Sequence, residues 1–424
     1  MTEQSSQNEP PERPEQPAPK RLLPVVIVTG LHQAQRRQAV LELIADSPSA
    51  IVLHHDLSRA AQGEVVRRVW DQNGTTLMVR ATLTNDCPCC ALREDLLPYL
   101  KQIAQAGHHR LAVVELWGGS DPQPLVETIA HAEVDGQCMD EFIQVKAVIA
   151  AVDPLRLIPD LSTGDLLAAH ALNTTADDER TVAESLSHQV EYANVIAVSQ
   201  EPRPTANPAT PHNPESDEQR AGLAMLRQLR PTAPIVHFGL RELTRVATTG
   251  FDTNAAAYRV SPALAQLPQQ REHDGVTTLL WRRRQPLHPE RLHQALDQLV
   301  PCAQRSRGRF WLANRPDVML AWDAAGASLT VEDCGPWLAC LSDEEWDLHP
   351  PERRIAAALE WDAQYGDRIQ LLSFTAQGLD ADRISDLLDS CLLTDSELAA
   401  GERGWKALPD AFEGLLDPVG TESS

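Results

Sequence analysis

The stretch Val25-Val26-Ile27-Val28-Thr29-Gly30 is the clearest indication of fold class in this 424-residue sequence. An uninterrupted run of β-branched residues is typical of a parallel strand that is buried on both faces. Similar apolar runs recur along the next two hundred residues, and segments with helical spacing separate most of them. Strands that alternate with helices predict a mostly parallel sheet that is covered by helices on both faces. The runs lie at 50–53, 111–115, 145–153, 194–198 and 235–238.

The pattern changes after residue 274, where predicted strands cluster together with few helical crossovers. Seven of the nine tryptophans also lie from Trp281 onward. Clustered strands of this kind predict a smaller α+β domain. We therefore expect a disordered tail at 1–20, an α/β domain at 21–260, a linker at 261–274, a second domain at 275–412 and a tail at 413–424.

The chain is strongly acidic, with 37 Lys and Arg against 60 Asp and Glu and a net charge of −23. Such a charge disfavours a nucleic-acid-binding surface. No run approaches the roughly 18 apolar residues of a spanning helix, and residues 1–20 lack the apolar centre of a signal peptide. We expect a cytoplasmic protein that binds neither nucleic acid nor membrane.

Cysteines cluster at Cys87-Pro88-Cys89-Cys90, just before a segment with helical spacing. In a reducing compartment such a cluster indicates metal binding more than disulfides. A helix N-terminus and Arg93 lower thiol pKa values and favour the thiolate that a metal needs. The alternative is that these thiols are small apolar core residues. The triplet alone does not distinguish zinc from another thiophilic metal or a thiol switch.

Two histidines, His54 and His55, follow the second predicted strand. Ligands of parallel sheets bind beyond the carboxyl ends of the strands, where Gly30, the cysteines and Glu115 are also expected. Imidazole is a good zinc ligand, so one or both histidines are candidates to complete a four-coordinate Cys/His set. The alternative is that the histidines lie at a solvated loop end.

With these motifs the chain resembles the CobW-like family, the metal-handling branch of the G3E P-loop GTPases, from about Pro24 to about Phe412. The cysteine motif with Leu92-Arg93-Glu94-Asp95-Leu96 is similar to the family's Cys-x-Cys-Cys and Arg-Glu-Asp-Leu signature. The segment from Glu115 through Gly118 to Pro122 resembles its Glu-Thr-Thr-Gly-x-x-Asp-Pro element. Arg284 to Leu292 and Arg305 to Ala313 resemble the CobW C-terminal domain. The resemblance implies a P-loop NTPase-like fold, a bound metal and a GTP site.

Two nucleotide motifs depart from the family pattern. Gln33 and Gln35 replace glycines of the P-loop, and Arg36-Arg37 stand where Lys-Thr is expected, so the Mg²⁺-binding hydroxyl is missing. The Asn-Lys-x-Asp base-reading motif is replaced by Ser199 to Pro202. We therefore expect a pseudo-GTPase without an assigned catalytic residue, for which GTP and Mg²⁺ are doubtful cofactors. Any remaining nucleotide contact is expected at Gly30, Arg36, Glu115 and Gly118.

These observations favour a metal-binding protein that holds zinc or another divalent metal and passes it to a client protein. The predicted metal ligands are Cys87, Cys89 and Cys90 with His54 and His55. Two alternatives stay open: an active GTP-binding metallochaperone in which Arg36 and Glu115 act on phosphate and Mg²⁺, and a regulatory scaffold that senses metal or oxidant. The sequence also leaves a homo-oligomer open.

Overall fold

The computed structural model describes residues 22–60, 64–82, 88–199, 214–261, 264–265, 267–269 and 271–416. It does not describe the side chains of residues 75–76, 81–82, 88–93, 130 and 214–216. Within these residues, no helix has both the length and the apolar composition needed to cross a membrane.

The first half of the chain forms an eight-stranded sheet with the order β10-β9-β8-β1-β5-β2-β3-β4. Its elements are β1 (Leu23–Thr29), α1 (Gln33–Asp46), β2 (Ala50–Asp56), β3 (Glu64–Asp71), β4 (Gly74–Thr82), α2 (Pro88–Ala106), β5 (Leu111–Glu115), α3 (Pro122–His131), β6 (Glu133–Val134), β7 (Gln137–Cys138), β8 (Ile143–Val152), α4 (Pro154–Ser162), α5 (Val182–Tyr192), β9 (Val195–Val198), α6 (Pro214–Leu229), β10 (Ile235–His237), α7 (Leu243–Ala247) and α8 (Thr253–Val260).

The six strands from β10 to β2 in this order are parallel, which confirms the predicted sheet. Alternate residues of β1 face opposite helical layers, since successive strand side chains point to opposite faces. Ile27 lies in one buried cluster with Leu96 of α2, whereas Val28 lies in another with Leu43 of α1. The sheet is therefore covered on both faces, as its continuous apolar strands require.

The antiparallel hairpin of β3 and β4 at the edge of this sheet was not predicted. β3 carries charged side chains such as Arg67 and Arg68, so it lacks the apolar run that identified the other strands. β3 pairs with β2 on one side and β4 on the other, and carboxylates accommodate its arginines: Arg67 donates to Asp95 at 2.8 Å and Arg68 donates to Asp56 at 2.7 Å.

The second half forms a six-stranded antiparallel sheet with the order β11-β12-β16-β13-β14-β15, which confirms the predicted α+β domain. Within the predicted linker, Arg271–His273 form the short edge strand of this sheet. The elements are β11 (Arg271–His273), β12 (Val276–Arg283), α9 (Pro289–Leu299), β13 (Arg305–Leu312), β14 (Arg315–Ala325), β15 (Ser328–Pro336), α10 (Asp343–Leu348), α11 (Pro351–Leu359), β16 (Gln370–Gln377), α12 (Ala381–Ser390), α13 (Asp395–Leu398), α14 (Gly401–Trp405) and α15 (Glu413–Leu416).

A buried ion-pair network joins α5 to this second sheet. Arg305 of β13 donates from Nε and Nη2 to the carboxylate of Glu191 at 2.8 and 2.9 Å. It also donates from Nη2 to Asp323 of β14 at 3.0 Å, and Arg307 donates to Glu191 at 3.0 Å. Burial by itself raises the pKa of Glu191, but the two arginines outweigh it and lower the pKa. Glu191 therefore stays ionised, with its charge fully compensated.

Arg305→Met should lower the free energy of unfolding by about 3 kcal/mol or more, because it leaves the Glu191 carboxylate buried with one partner fewer. Arg283→Met is the matched control, since its contact with Asp389 at 2.7 Å joins side chains that are 40% and 39% exposed. We expect the control to cost less than about 1 kcal/mol. Urea unfolding measures both. Equal costs would contradict the role given to Arg305.

His188 of α5 adds a pH-dependent contact to this network. Its Nε2 lies 3.6 Å from Oδ2 of Asp323, and its Nδ1 lies 3.9 Å from Oδ2 of Asp121. Desolvation alone lowers the pKa of His188, but the two carboxylates outweigh it and raise the pKa above its ordinary value. The protonated ring therefore stabilises the fold fully at pH values below the unfolded-state pKa of about 6.5. This stabilisation is lost as the pH rises through the folded-state pKa.

His188→Asn should therefore lower the Tm more at about pH 6 than at about pH 8.5. Thermal unfolding of both proteins across this range, in one buffer system, measures the difference. A loss of Tm that is the same at every pH would show that His188 acts through packing rather than charge.

Candidate functional site at the carboxyl edge of the parallel sheet

A cavity of about 770 Å³ lies at the carboxyl ends of the parallel strands. It is bounded by the loop after β1, the end of β2, Trp117 after β5 and the start of α4. The sequence analysis placed a site at this edge, and Arg36 and His54 do line the cavity. Ligands of open α/β sheets bind in this position.

The loop after β1 is short and tightly packed. Gly30 has φ of 138°, and a Cβ at this position would lie 2.3 Å from the carbonyl oxygen of Ala151, so only glycine fits. α1 begins at Gln33, and the backbone N–H of Arg36 already donates to the carbonyl of His32 at 3.3 Å. A phosphate-binding loop needs an open turn of free backbone amides. Here the first turn of a helix occupies much of that segment.

The guanidinium of Arg36 is buried under this loop. Its Nη1 donates to the carbonyls of Gly30 at 2.6 Å and Leu31 at 2.8 Å. Its Nε lies 3.6 Å from Oε1 of Glu115, and both side chains are less than 5% exposed. Burial lowers the pKa of Arg36, and the neighbouring Glu115 carboxylate opposes this shift. Arg36 and Glu115, two of the predicted nucleotide-binding residues, thus lie together and pair with each other.

Gly118, the fourth predicted contact, packs directly on the loop after β1. A Cβ on Gly118 would lie 2.6 Å from the carbonyl oxygen of Leu31 and 3.0 Å from Nη1 of Arg36. Gln189 holds this segment by donating to the carbonyls of Gly118 at 2.7 Å and Ser120 at 3.1 Å. The segment after β5 therefore packs so closely on the loop after β1 that position 118 has no room for a side chain.

The two predicted histidines lie within β2 rather than after it, and they point to opposite faces of the sheet. His54 lies on the α1 side and lines the cavity, with its Nδ1 3.0 Å from the carbonyl oxygen of Glu115. Burial lowers the pKa of His54, although Glu115 opposes the shift. Because a carbonyl only accepts, Nδ1 carries the proton of the neutral ring and Nε2 keeps a lone pair.

His55 lies on the α2 side, where its Nε2 is 2.8 Å from Oδ2 of Asp95. Asp95 also accepts from Arg67 at 2.8 Å. Although burial by itself raises the pKa of Asp95, the hydrogen bond from His55 and the charge of Arg67 lower it. The carboxylate is therefore ionised, and it orients the His55 ring through Nε2.

The predicted cysteine site is only partly covered by the structure. Cys87 lies outside the described residues, and Cys89 and Cys90 lie in the first turn of α2 with their side chains outside the described part. Among the side chains that are described, no three His, Cys, Asp or Glu form a group that fits a metal ion. Asp95 is on the same helix as Cys89 and Cys90, so His55 lies on the cysteine side of the sheet.

Sequence reasoning missed the residues that close the cavity. Trp117 donates from Nε1 to the carbonyl of Leu172 at 2.9 Å, and His32 lies 2.6 Å from Asp160. One signal was present in the sequence, since Leu116-Trp117 replace the two threonines of the Glu-Thr-Thr-Gly pattern. No sequence signal pointed to the contact between His32 and Asp160, which are 128 residues apart.

Comparison with known proteins identifies the family. The family model for the CobW/HypB/UreG nucleotide-binding domain matches residues 44–203, and the model for the cobalamin synthesis protein cobW C-terminal domain matches residues 276–392. A zinc chaperone of Mycobacterium tuberculosis is 30% identical over 404 residues, which is 92% of each chain. The chain belongs to the CobW family.

Two further matches to this CobW-family chain have lower sequence identity. A zinc-regulated GTPase metalloprotein activator 1 of Dictyostelium discoideum is 28% identical over 349 residues, covering 78% of this chain and 70% of that protein. The Zn(II)-bound YjiA GTPase of E. coli is 14% identical, with 88% and 100% of the chains covered and a TM-score of 0.35. That superposition is too poor to inform the site. The nucleotide-binding-domain match begins at residue 44, downstream of Gly30 and Arg36.

Arg36→Met should lower the free energy of unfolding by about 3 kcal/mol, because it leaves the Glu115 carboxylate buried without its cation. Glu115→Gln in the same chain should restore part of this loss, so the two changes should be non-additive. Urea unfolding of the four proteins of this cycle measures the coupling. Arg37→Met, an exposed control whose guanidinium lies 4.8 Å from the centre of the Trp70 ring, should cost less than about 1 kcal/mol. Additive costs at Arg36 and Glu115 would contradict the pairing.

Proposed function

We propose that this CobW-family protein is a zinc metallochaperone that works without GTP hydrolysis. The observation that carries the proposal is the buried Arg36 guanidinium, which lies between the Gly30 and Leu31 carbonyls and the Glu115 carboxylate. The names of two relatives support zinc as the metal: one is a zinc chaperone, and the other is a zinc-regulated GTPase metalloprotein activator.

The contacts of Arg36 argue against the alternative of a GTP-driven cycle. A P-loop lysine reaches the β- and γ-phosphates as a mobile point charge. Arg36 instead donates from Nη1 to two protein carbonyls, and its charge is paired with the Glu115 carboxylate. Freeing Arg36 for a phosphate would leave the Glu115 carboxylate, which is 4% exposed, without a counter-charge. Nucleotide binding would therefore have to overcome the stability of this pair.

For the metal we propose a Cys₃His set of Cys87, Cys89, Cys90 and His55. Zinc in proteins is bound tetrahedrally by such ligands. The His55–Asp95 contact supports the choice of histidine, since metal-binding histidines commonly donate their other ring N–H to a carboxylate. Of the two predicted histidine ligands, His54 is the less suitable candidate, because it lies on the α1 side of the sheet, away from α2 and its cysteines.

Zinc is the cargo in this proposal. Cysteine ligands bind zinc as thiolates, so uptake releases protons, and transfer proceeds as the client's ligands replace the protein's thiolates one at a time. The recipient is a zinc-requiring client protein in the cytoplasm. The scaffold alternative differs from this proposal in one observable, because zinc would then change partner affinity without appearing on the partner.

Reduced wild-type protein should bind one equivalent of zinc at this site, and the Cys87/Cys89/Cys90→Ser variant should bind none. His55→Asn should weaken zinc binding, and Asp95→Asn should do so by about 10-fold, because the ring then loses its orienting carboxylate. His54→Asn is the matched control, one residue away on the other face, and should leave zinc affinity unchanged. Competition against a chromogenic zinc chelator measures all five proteins.

Two results would count against the proposal. Equal zinc content in the wild type and the triple serine variant would remove the metal function altogether. A larger loss in His54→Asn than in His55→Asn would keep the function and overturn the assigned histidine.

A further inference from the structure

An exposed apolar surface lies on the second domain, far in sequence from every predicted metal ligand. Four of the eleven large apolar side chains that are exposed among the described residues fall within residues 348–361. Their exposed fractions are high: Leu348 85%, Ile355 60%, Leu359 81% and Trp361 53%. Single exposed apolar residues are ordinary, but a cluster of this kind marks an interaction site. We call these four residues the apolar ridge.

The apolar ridge is not needed to hold its own helices in place. Only Ala357 of α11 is buried, so the helix contributes little to the core. Polar contacts hold it instead: Arg354 donates to Asp347 of α10 at 2.9 Å, and Arg353 lies 3.4 Å from Asp367. Trp361 meets Trp346 edge to face at 5.9 Å between ring centres, which fixes one end of the ridge.

Two residues of the ridge share one face of a helix. Ile355 and Leu359 are four residues apart on α11 and therefore lie on one face of that helix. Leu348 is the last residue of α10 and Trp361 follows α11, and the contacts of Arg354 with Asp347 and of Trp361 with Trp346 hold these two segments together. Ridges of this kind pack against the groove of a second helix that carries apolar residues with helical spacing.

The rim of the ridge is acidic. The side chains of Asp343, Glu344 and Glu352 are exposed and make no hydrogen bond or ion pair with other residues that the structure describes. The neighbouring arginines do not neutralise these carboxylates, because they form other ion pairs. Arg353 and Arg354 pair with aspartates, and Arg284 pairs with Glu360 at 3.1 Å. The free charge around the ridge is therefore negative.

We propose that the apolar ridge docks a basic amphipathic helix of a partner protein. The acidic rim requires lysines or arginines beside the apolar positions of the partner. A second copy of this chain is disfavoured, because each copy carries a charge of −23 and two acidic rims would face each other. The tail at 1–20 is excluded by composition, since it carries four glutamates and its only large apolar residue is Met1. Anionic membrane surfaces are repelled by the same rim.

The test uses the full chain and a defined probe. The probe is a synthetic helix of Leu and Lys with Leu at i, i+3, i+4 and i+7, labelled for fluorescence anisotropy, and its counterpart has Glu in place of every Lys. The variants are Ile355→Ser/Leu359→Ser for the apolar contact and Asp343→Asn/Glu344→Gln/Glu352→Gln for the rim. Leu240→Ser, another exposed apolar residue at 55%, is the matched control. All the substituted side chains are exposed, so the variants should fold.

We expect the Leu/Lys helix to bind the wild type and the Leu240→Ser control equally, and each ridge or rim variant to bind at least about 10-fold more weakly. The Leu/Glu helix should bind at least about 10-fold more weakly than the Leu/Lys helix. Unchanged binding by Ile355→Ser/Leu359→Ser would overturn the proposal, because it would show attraction to the net charge alone. Light scattering that finds a dimer lost in this variant would assign the ridge to a second copy. Binding to phosphatidylcholine vesicles that the variant loses would assign it to a membrane.

Discussion

The contact between Arg36 and Glu115 holds together the loops at the carboxyl edge of the parallel sheet. A buried carboxylate is tolerated only with a compensating charge, and Arg36 supplies it from within the chain. The same guanidinium satisfies the carbonyls of Gly30 and Leu31, which ties the loop after β1 to the segment after β5. Gly118 can pack against Leu31 only because it has no side chain. The loop after β1 and the segment after β5 are thus held together by contacts within the protein.

This arrangement separates two regions that share one sheet. Above the α1 side lies the cavity with the neutral His54, and on the α2 side lies His55, oriented by the ionised Asp95. The parallel strands bring both regions to the same edge, which is why a metal site next to a nucleotide site is compatible with this fold. The buried Glu191–Arg305–Asp323 network, in turn, fixes the second domain against α5, whose Gln189 holds the Gly118 segment.

Much of the fold could be predicted from the sequence, because buried parallel strands leave a strong pattern. The runs beginning at Val25 and Leu111 identified the central strands, whereas β3 was missed because Arg67 and Arg68 interrupt its apolar pattern. For the site, the loss of the P-loop lysine was readable, but the direction taken by the Arg36 guanidinium was not, since it depends on Glu115 from another strand. His54 and His55 were expected beyond the end of a strand. Once β2 is seen to continue to Asp56, the alternation of strand side chains separates them.

The central claim is that metal handling in this CobW-family chain no longer depends on nucleotide. The most direct test is the zinc affinity of the reduced wild-type protein, measured by chelator competition with and without saturating GTP and Mg²⁺. We expect the same zinc affinity in both conditions, because the loop after β1 is closed by Arg36. A zinc affinity that rises tenfold or more with GTP and Mg²⁺, an effect of about 1.4 kcal/mol, would contradict the account. It would mean that nucleotide still enters this site and displaces Arg36 from Glu115.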